Sequence, residues 1–126
     1  MNLTINKENY YWTDHVRRKM RQYRLSENRI KRVLRHPSRR EVGVAEDTVA
    51  GMQPAGSPKH PYEIWVMWSL DKARDKTRGY NKRTRIDLNR KTTIISAWRY
   101  PGISPRREAP PIPDDVWAVL KKIKKN

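Results

Sequence analysis

His15 and Lys19 stand one helical turn apart, so a helix there would present an imidazole and a cation on the same side. Arg99 and Tyr100 close a late apolar run, just before Pro101-Gly102. These groups suit one kind of chemistry, the cleavage of RNA through its own 2′-hydroxyl. That reaction needs a base near the hydroxyl, an acid near the leaving oxygen, and cations on the phosphate as charge builds. Histidine fits proton transfer because its pKa lies near working pH, and arginine grips phosphate with a planar fork. On this reading His15 is the leading acid–base group, Lys19 and Arg99 hold the phosphate, and Tyr100 stacks a base or donates a proton. His60, in the loop PAGSPKHP, is a second imidazole. The plainer alternatives are a His15 that bonds a backbone carbonyl at the core edge, and an Arg99 that reaches off the sheet over an aromatic ring.

Other chemistries find less support. The chain has no Cys, which removes disulfides, thiolate metal sites and cysteine nucleophiles together. None of its three His pair at metal-ligand spacing, and Asp114-Asp115 reads as helix capping. No phosphate-binding glycine loop and no Ser-His-Asp pattern stands out. Neither a metal nor a cofactor is expected.

Charge names the partner class. The 29 Lys and Arg against 13 Asp and Glu leave +16 on 126 residues, together with five Trp and six Tyr. A disordered basic tail would lack those aromatics, and a folded domain with this much self-repulsion usually has a polyanion to offset it. Nucleic acid is expected, RNA ahead of DNA. An anionic membrane would favour a basic helix with a broad apolar face, and none is visible. Hydrophobic content of 36% and a mean hydropathy of −1.04 imply one small core in a single domain. No stretch approaches the ~18 apolar residues of a membrane span, and MNLTINKENYYW lacks the apolar centre of a signal peptide. A cytoplasmic location is expected.

These side chains need elements to carry them. Residues 1–12 read as an N-terminal arm or strand, 13–100 as the core domain, and 101–126 as a Pro-rich linker and C-terminal helix. Thr13 caps a first helix with the stripe Val16, Met20 and Tyr23, and with Arg17, Arg18, Lys19 and Arg21 on its other faces. Arg24-Leu25 breaks it, Ser26 caps a second helix facing inward through Ile30, Val33 and Leu34, and Pro37 ends that. Arg40–Ala45 and Thr48–Gln53 read as paired strands. Tyr62–Leu70 is apolar on both faces and so central in a sheet, and IDLNRKTTIISAW reads as two strands around Asn89-Arg90-Lys91. The stretch Tyr100–Pro113 is extended and lacks the pattern of a packed element. It leads to a last helix facing inward through Val116, Trp117, Leu120 and Ile123. Trp65, Trp68, Trp98 and Trp117 are expected in the core. Between the central strand and the next pair lies a basic loop with Lys72, Arg74, Arg78, Tyr80, Lys82, Arg83 and Arg85. Projecting from a sheet rim, it would contact RNA together with Arg18 and His60.

His15, Lys19, Met20, Leu25-Ser26, Ile30, Val33-Leu34 and Pro37 resemble the opening of a bacterial family of small domains, itself similar to the BrnT and RelE toxin ribonucleases. Ile94–Arg99 resembles that family's last strand, so the likeness covers roughly residues 13 to 100. Lys19 stands where the family usually has Arg, Tyr23 replaces a frequent basic position, and the C-terminal helix is an addition. The resemblance implies an α+β fold, with two N-terminal helices packed on a small, mainly antiparallel sheet. It also implies metal-independent endoribonuclease activity by 2′-hydroxyl attack, and an antitoxin as partner. Two rivals share the charge: a non-catalytic, ribosome-associated RNA-binding module, and a helix-turn-helix DNA-binding protein reading through Arg29, Lys31, Arg32 and Arg35.

Overall fold

A single hydroxyl fixes the entry to the first helix. Thr13 Oγ1 accepts from the Val16 amide at 3.0 Å and lies 3.1 Å from the carbonyls of both Ile94 and Ile95, so the cap that starts the helix also ties it to a distant strand. Arg24 ends that helix in the left-handed conformation (φ 56°), where the Leu25 amide reaches back to the Met20 carbonyl at 2.8 Å. Ser26 repeats the capping move, accepting from the Arg29 amide at 3.0 Å.

The computed structural model describes residues 10–42, 45, 47–70, 80, 81, 86, 87 and 92–124. The elements are β1 (Tyr10–Trp12), α1 (Asp14–Tyr23), α2 (Glu27–Arg35), β2 (Arg39–Val42), β3 (Thr48–Gly56), β4 (Pro61–Leu70), β5 (Tyr80–Asn81), β6 (Ile86–Asp87), β7 (Thr92–Pro101) and α3 (Asp114–Lys124). The fold is α+β, with three helices and a five-stranded mixed sheet in the order β1-β7-β4-β3-β2. All its pairings are antiparallel except β1 on β7.

β4 is central and buried on both faces, as its double apolar pattern requires. Ile64, Val66 and Trp68 pack with Val16, Met20, Ile30 and Val33, which places α1 and α2 on one face. Trp65 and Met67 pack with Trp98, Val116 and Leu120, which places α3 on the other. A β-bulge interrupts the β4–β7 ladder. Met67 pairs with Ser96 and Trp68 with Ile94, leaving Ile95 as the extra residue. Gly51 allows close packing on the helical face, where a Cβ would lie 2.8 Å from the Trp68 ring.

The sequence expectations need four corrections. The sheet is larger than the small one expected, because the N-terminal arm adds β1 as an edge strand; it is mainly antiparallel, with β1 on β7 as its parallel pairing. β6 pairs with β5 in a separate two-stranded ribbon, while β7 pairs with β4 and β1. The Pro-rich stretch is anchored at two points: Ser104 is 2% exposed, held by polar contacts that apolar periodicity does not report, and Pro110 is buried, while residues 105–109 are exposed as an extended segment would be. Trp117 leaves the core and is 38% exposed, because Val116 and Leu120 occupy the inward face of α3.

Candidate nucleic-acid interface

Nine Lys and Arg against two acids lie between positions 14 and 35. Burial of the apolar stripes turns most of these cations outward. Arg18, Arg21, Arg24 and Arg32 are exposed and make no ion pair with an acid among the described residues. Arg17 pairs with Glu27 at 2.6 Å on the surface, where such a pair adds little. Over Trp12, its guanidinium also stacks at 5.3 Å.

His15 and Lys19 do share one side of α1, but Lys19 is no free cation. It is 6% exposed and bonds Asp115 Oδ2 at 2.6 Å and Gln22 Oε1 at 3.0 Å, so it acts as a strut between α1 and the first turn of α3. Asp115 therefore does more than cap a helix, and its hydrogen bond with Lys19 holds its carboxyl below the ordinary value. The Nε2 of His15 lies 2.9 Å from Ser96 Oγ, and Nδ1 has no hydrogen bond among the described residues. Burial lowers the His15 pKa; Lys19 and Arg18 lower it further and Asp115 opposes them, so the ring is neutral at physiological pH. The Ser96–His15 pair has the reach of a nucleophile and its base. Ser96 is 0% exposed, however, which closes it to any substrate. Sequence reasoning missed Ser96 because the contact spans 81 positions and depends on β7 passing α1.

Arg99 and Tyr100 do not converge. Neighbours in a strand leave on opposite faces, and Tyr100 packs against the α3-side cluster. Arg99 lies on the α1/α2 side, with its guanidinium 5.0 Å from the centre of the Tyr62 ring. Its Nε is buried without a hydrogen-bond partner among the described residues. In the sheet register, Gln53, Ile64 and Arg99 form one cross-strand row. Gln53 Oε1 accepts from Arg29 at 2.5 Å, and its amide nitrogen donates to the Arg32 and His36 carbonyls at the end of α2, at 3.1 and 2.8 Å. Burial, then the neighbouring Arg32, pushes the Arg29 pKa below its ordinary value, while Tyr62 raises it.

His60 is exposed in the turn between β3 and β4, where its amide donates to the Ser57 carbonyl at 3.1 Å. Arg18 is exposed on α1. Lys72, Arg74, Arg78, Lys82, Arg83 and Arg85 lie outside the described residues, and of Tyr80 only the backbone, in β5, is described. Leu70 and Thr92, the strand residues that flank that basic segment, pair at the end of β4 opposite the His60 turn. Ten residues of strand separate the two ends by about 30 Å.

The α3 face uses its charge differently. Arg39 bonds Glu41 Oε2 at 2.9 Å, Ser104 Oγ at 3.2 Å, the Pro105 carbonyl at 3.1 Å and the Glu108 carbonyl at 2.5 Å. Glu63, 3% exposed, accepts from Trp65 Nε1 at 3.0 Å and from Ser104 Oγ at 2.6 Å and N at 3.2 Å. Both residues bind the Pro-rich stretch to the sheet. Sequence spacing gave no signal for either, because their contacts with the Pro-rich stretch span 41 to 69 positions.

Comparison with protein-family models, with curated proteins and with solved structures gave no match to this chain. Among the described residues, no three His, Cys, Asp or Glu gather as a metal site, and no helix is long and apolar enough to cross a membrane.

Proposed function

We propose that this protein is an RNA-binding domain that engages the phosphate backbone through the basic surface of α1 and α2. One observation carries the reading: the apolar stripes are buried, and Arg18, Arg21, Arg24 and Arg32 face outward with no acid paired to them among the described residues. Arginines that neutralise phosphates release the cations condensed on the RNA strand, and that release supplies affinity. Titration of a labelled single-stranded RNA across a salt series tests it. Affinity that falls steeply with salt and exceeds that for duplex DNA is expected. Salt-indifferent binding, or a preference for duplex DNA, would overturn the reading and favour the helix-turn-helix alternative.

A second reading is metal-independent cleavage by 2′-hydroxyl attack, as the resemblance to RelE-type toxin ribonucleases suggests, with an antitoxin or the ribosome as further partner. The observation in its favour is His15, a half-buried neutral imidazole whose Nδ1 remains for proton transfer beside Arg18. With Lys19 neutralised by Asp115, the phosphate would depend on Arg18. RNA cut in the presence of EDTA, and cut ~10²-fold more slowly by His15→Ala, supports this reading. Intact RNA after prolonged incubation leaves binding alone.

A further inference from the structure

Two cations at the α2 rim are held in place without being neutralised. Gln53 is locked by the last carbonyls of α2 and turns its oxygen toward Arg29, which fixes that guanidinium with a neutral acceptor. The Tyr62 ring fixes Arg99. Tyr62 is itself held by the β3–β4 turn: Gly56 has φ +81°, and a Cβ there would lie 2.3 Å from the His60 carbonyl and 2.9 Å from the Tyr62 ring. Glycine thus lets the turn close against the ring. Gln53 and Arg99 flank Ile64 in one row of the sheet, and two strand spacings set their backbones about 10 Å apart. Arg32 adds a third charge beside Arg29. None of the three arginines makes an ion pair among the described residues. Like charges ordered in this way cost free energy that a bound anion offsets, and a preorganised fork loses little entropy on binding.

We propose that Arg29, held by Gln53 of β3, and Arg99 of β7, held over the Tyr62 ring, form a cradle for a phosphate group of an RNA strand. The inference rests on the RNA-binding reading and narrows it to the end of the sheet that carries the β3–β4 turn. The two guanidiniums grip the phosphate oxygens, and Arg32 contributes charge at the rim. An internal phosphodiester and a terminal phosphomonoester offer the same oxygens, so the source is decided by comparing 5′-phosphorylated with 5′-hydroxyl RNA.

The test measures single-stranded RNA binding by wild type, Arg99→Gln, Arg99→Lys and the distant charge control Lys122→Gln, each checked for folding by circular dichroism. Arg99→Gln is expected to weaken binding about tenfold and to lower the salt slope by about one. Arg99→Lys keeps the charge without the fork and should lose about threefold, whereas Lys122→Gln should change affinity by about twofold or less. Loss of binding by Arg99→Gln no greater than by Lys122→Gln overturns the cradle and leaves the RNA reading standing. If wild type binds no RNA but inorganic phosphate raises its melting temperature, and not that of the Arg99 variants, the cradle stands and the RNA reading falls. Absence of both effects removes both. Should Arg99→Gln fail to fold, Arg99→Lys and competition of wild-type binding by inorganic phosphate give the same decision.

Discussion

Arg39 and Arg99 each lie over an aromatic ring, 5.2 Å from Trp65 and 5.0 Å from Tyr62, yet the two faces of the sheet give them opposite surroundings. On the α3 face, Arg39 meets a carboxylate, a hydroxyl and two carbonyls. Across the sheet, Arg99 has a buried Nε with no acceptor. A guanidinium that leaves water must recover its hydrogen bonds from the protein or from a ligand. The contrast separates cations bonded into the fold from cations with no acceptor among the described residues, and net charge alone makes no such distinction.

The comparison breaks most readily at Trp65. Trp65 stacks on Trp98 with ring centres 6.1 Å apart, carries Arg39 and donates to Glu63. Trp65→Ala should cost about 3–5 kcal/mol, measured by urea denaturation. Arg39→Ala strands its carbonyl and hydroxyl partners and should cost about 2–3 kcal/mol, with earlier proteolysis between 102 and 113. Arg99→Gln is the counterpart on the opposite face. It removes an uncompensated charge and should change stability by no more than about 0.5 kcal/mol while weakening RNA binding. A stability loss as large as that of Arg39→Ala would erase the difference between the faces.

The smallest expected effects concern pH. His15 has a folded pKa below its ordinary value of 6.5, so the unfolded chain takes up a proton first as pH falls. Stability should be full above that value, decline as pH drops below it, and level off once the folded ring is also protonated. His15→Gln should flatten this step in melting temperature against pH. Asp115 also has a depressed folded pKa, so its contribution is present above its ordinary 3.8 and is lost as pH falls through the lower folded value. Its side chain is half exposed, which keeps the effect small. Asp115→Asn should remove it.

Much of the framework was legible before any coordinates. Thr13 and Ser26 are caps because each hydroxyl precedes a helical apolar stripe, and both make the expected bond three residues on. The two-faced pattern of residues 62–70 put that strand at the centre, where β4 lies. The parallel docking of β1 was hidden, since three residues carry no period. Arg39 and Glu63 were hidden as well: a buried charge leaves no trace in hydropathy unless its acceptors are known. The proposed quartet of His15, Lys19, Arg99 and Tyr100 came from residue types, local spacing and the family resemblance. Strand alternation sends the last two to opposite faces, and Asp115 occupies Lys19 from 96 positions away.

By itself the sequence determined the α+β class, the helix caps, the central strand and a basic balance that favours a polyanion. Those properties depend on neighbours within a turn or two, where backbone period and side-chain type suffice. Only the tertiary structure decided which cations are neutralised and which have no acid beside them among the described residues. A charge takes its partner from whatever the fold brings within about 3 Å, and that choice is made across the whole length of the chain.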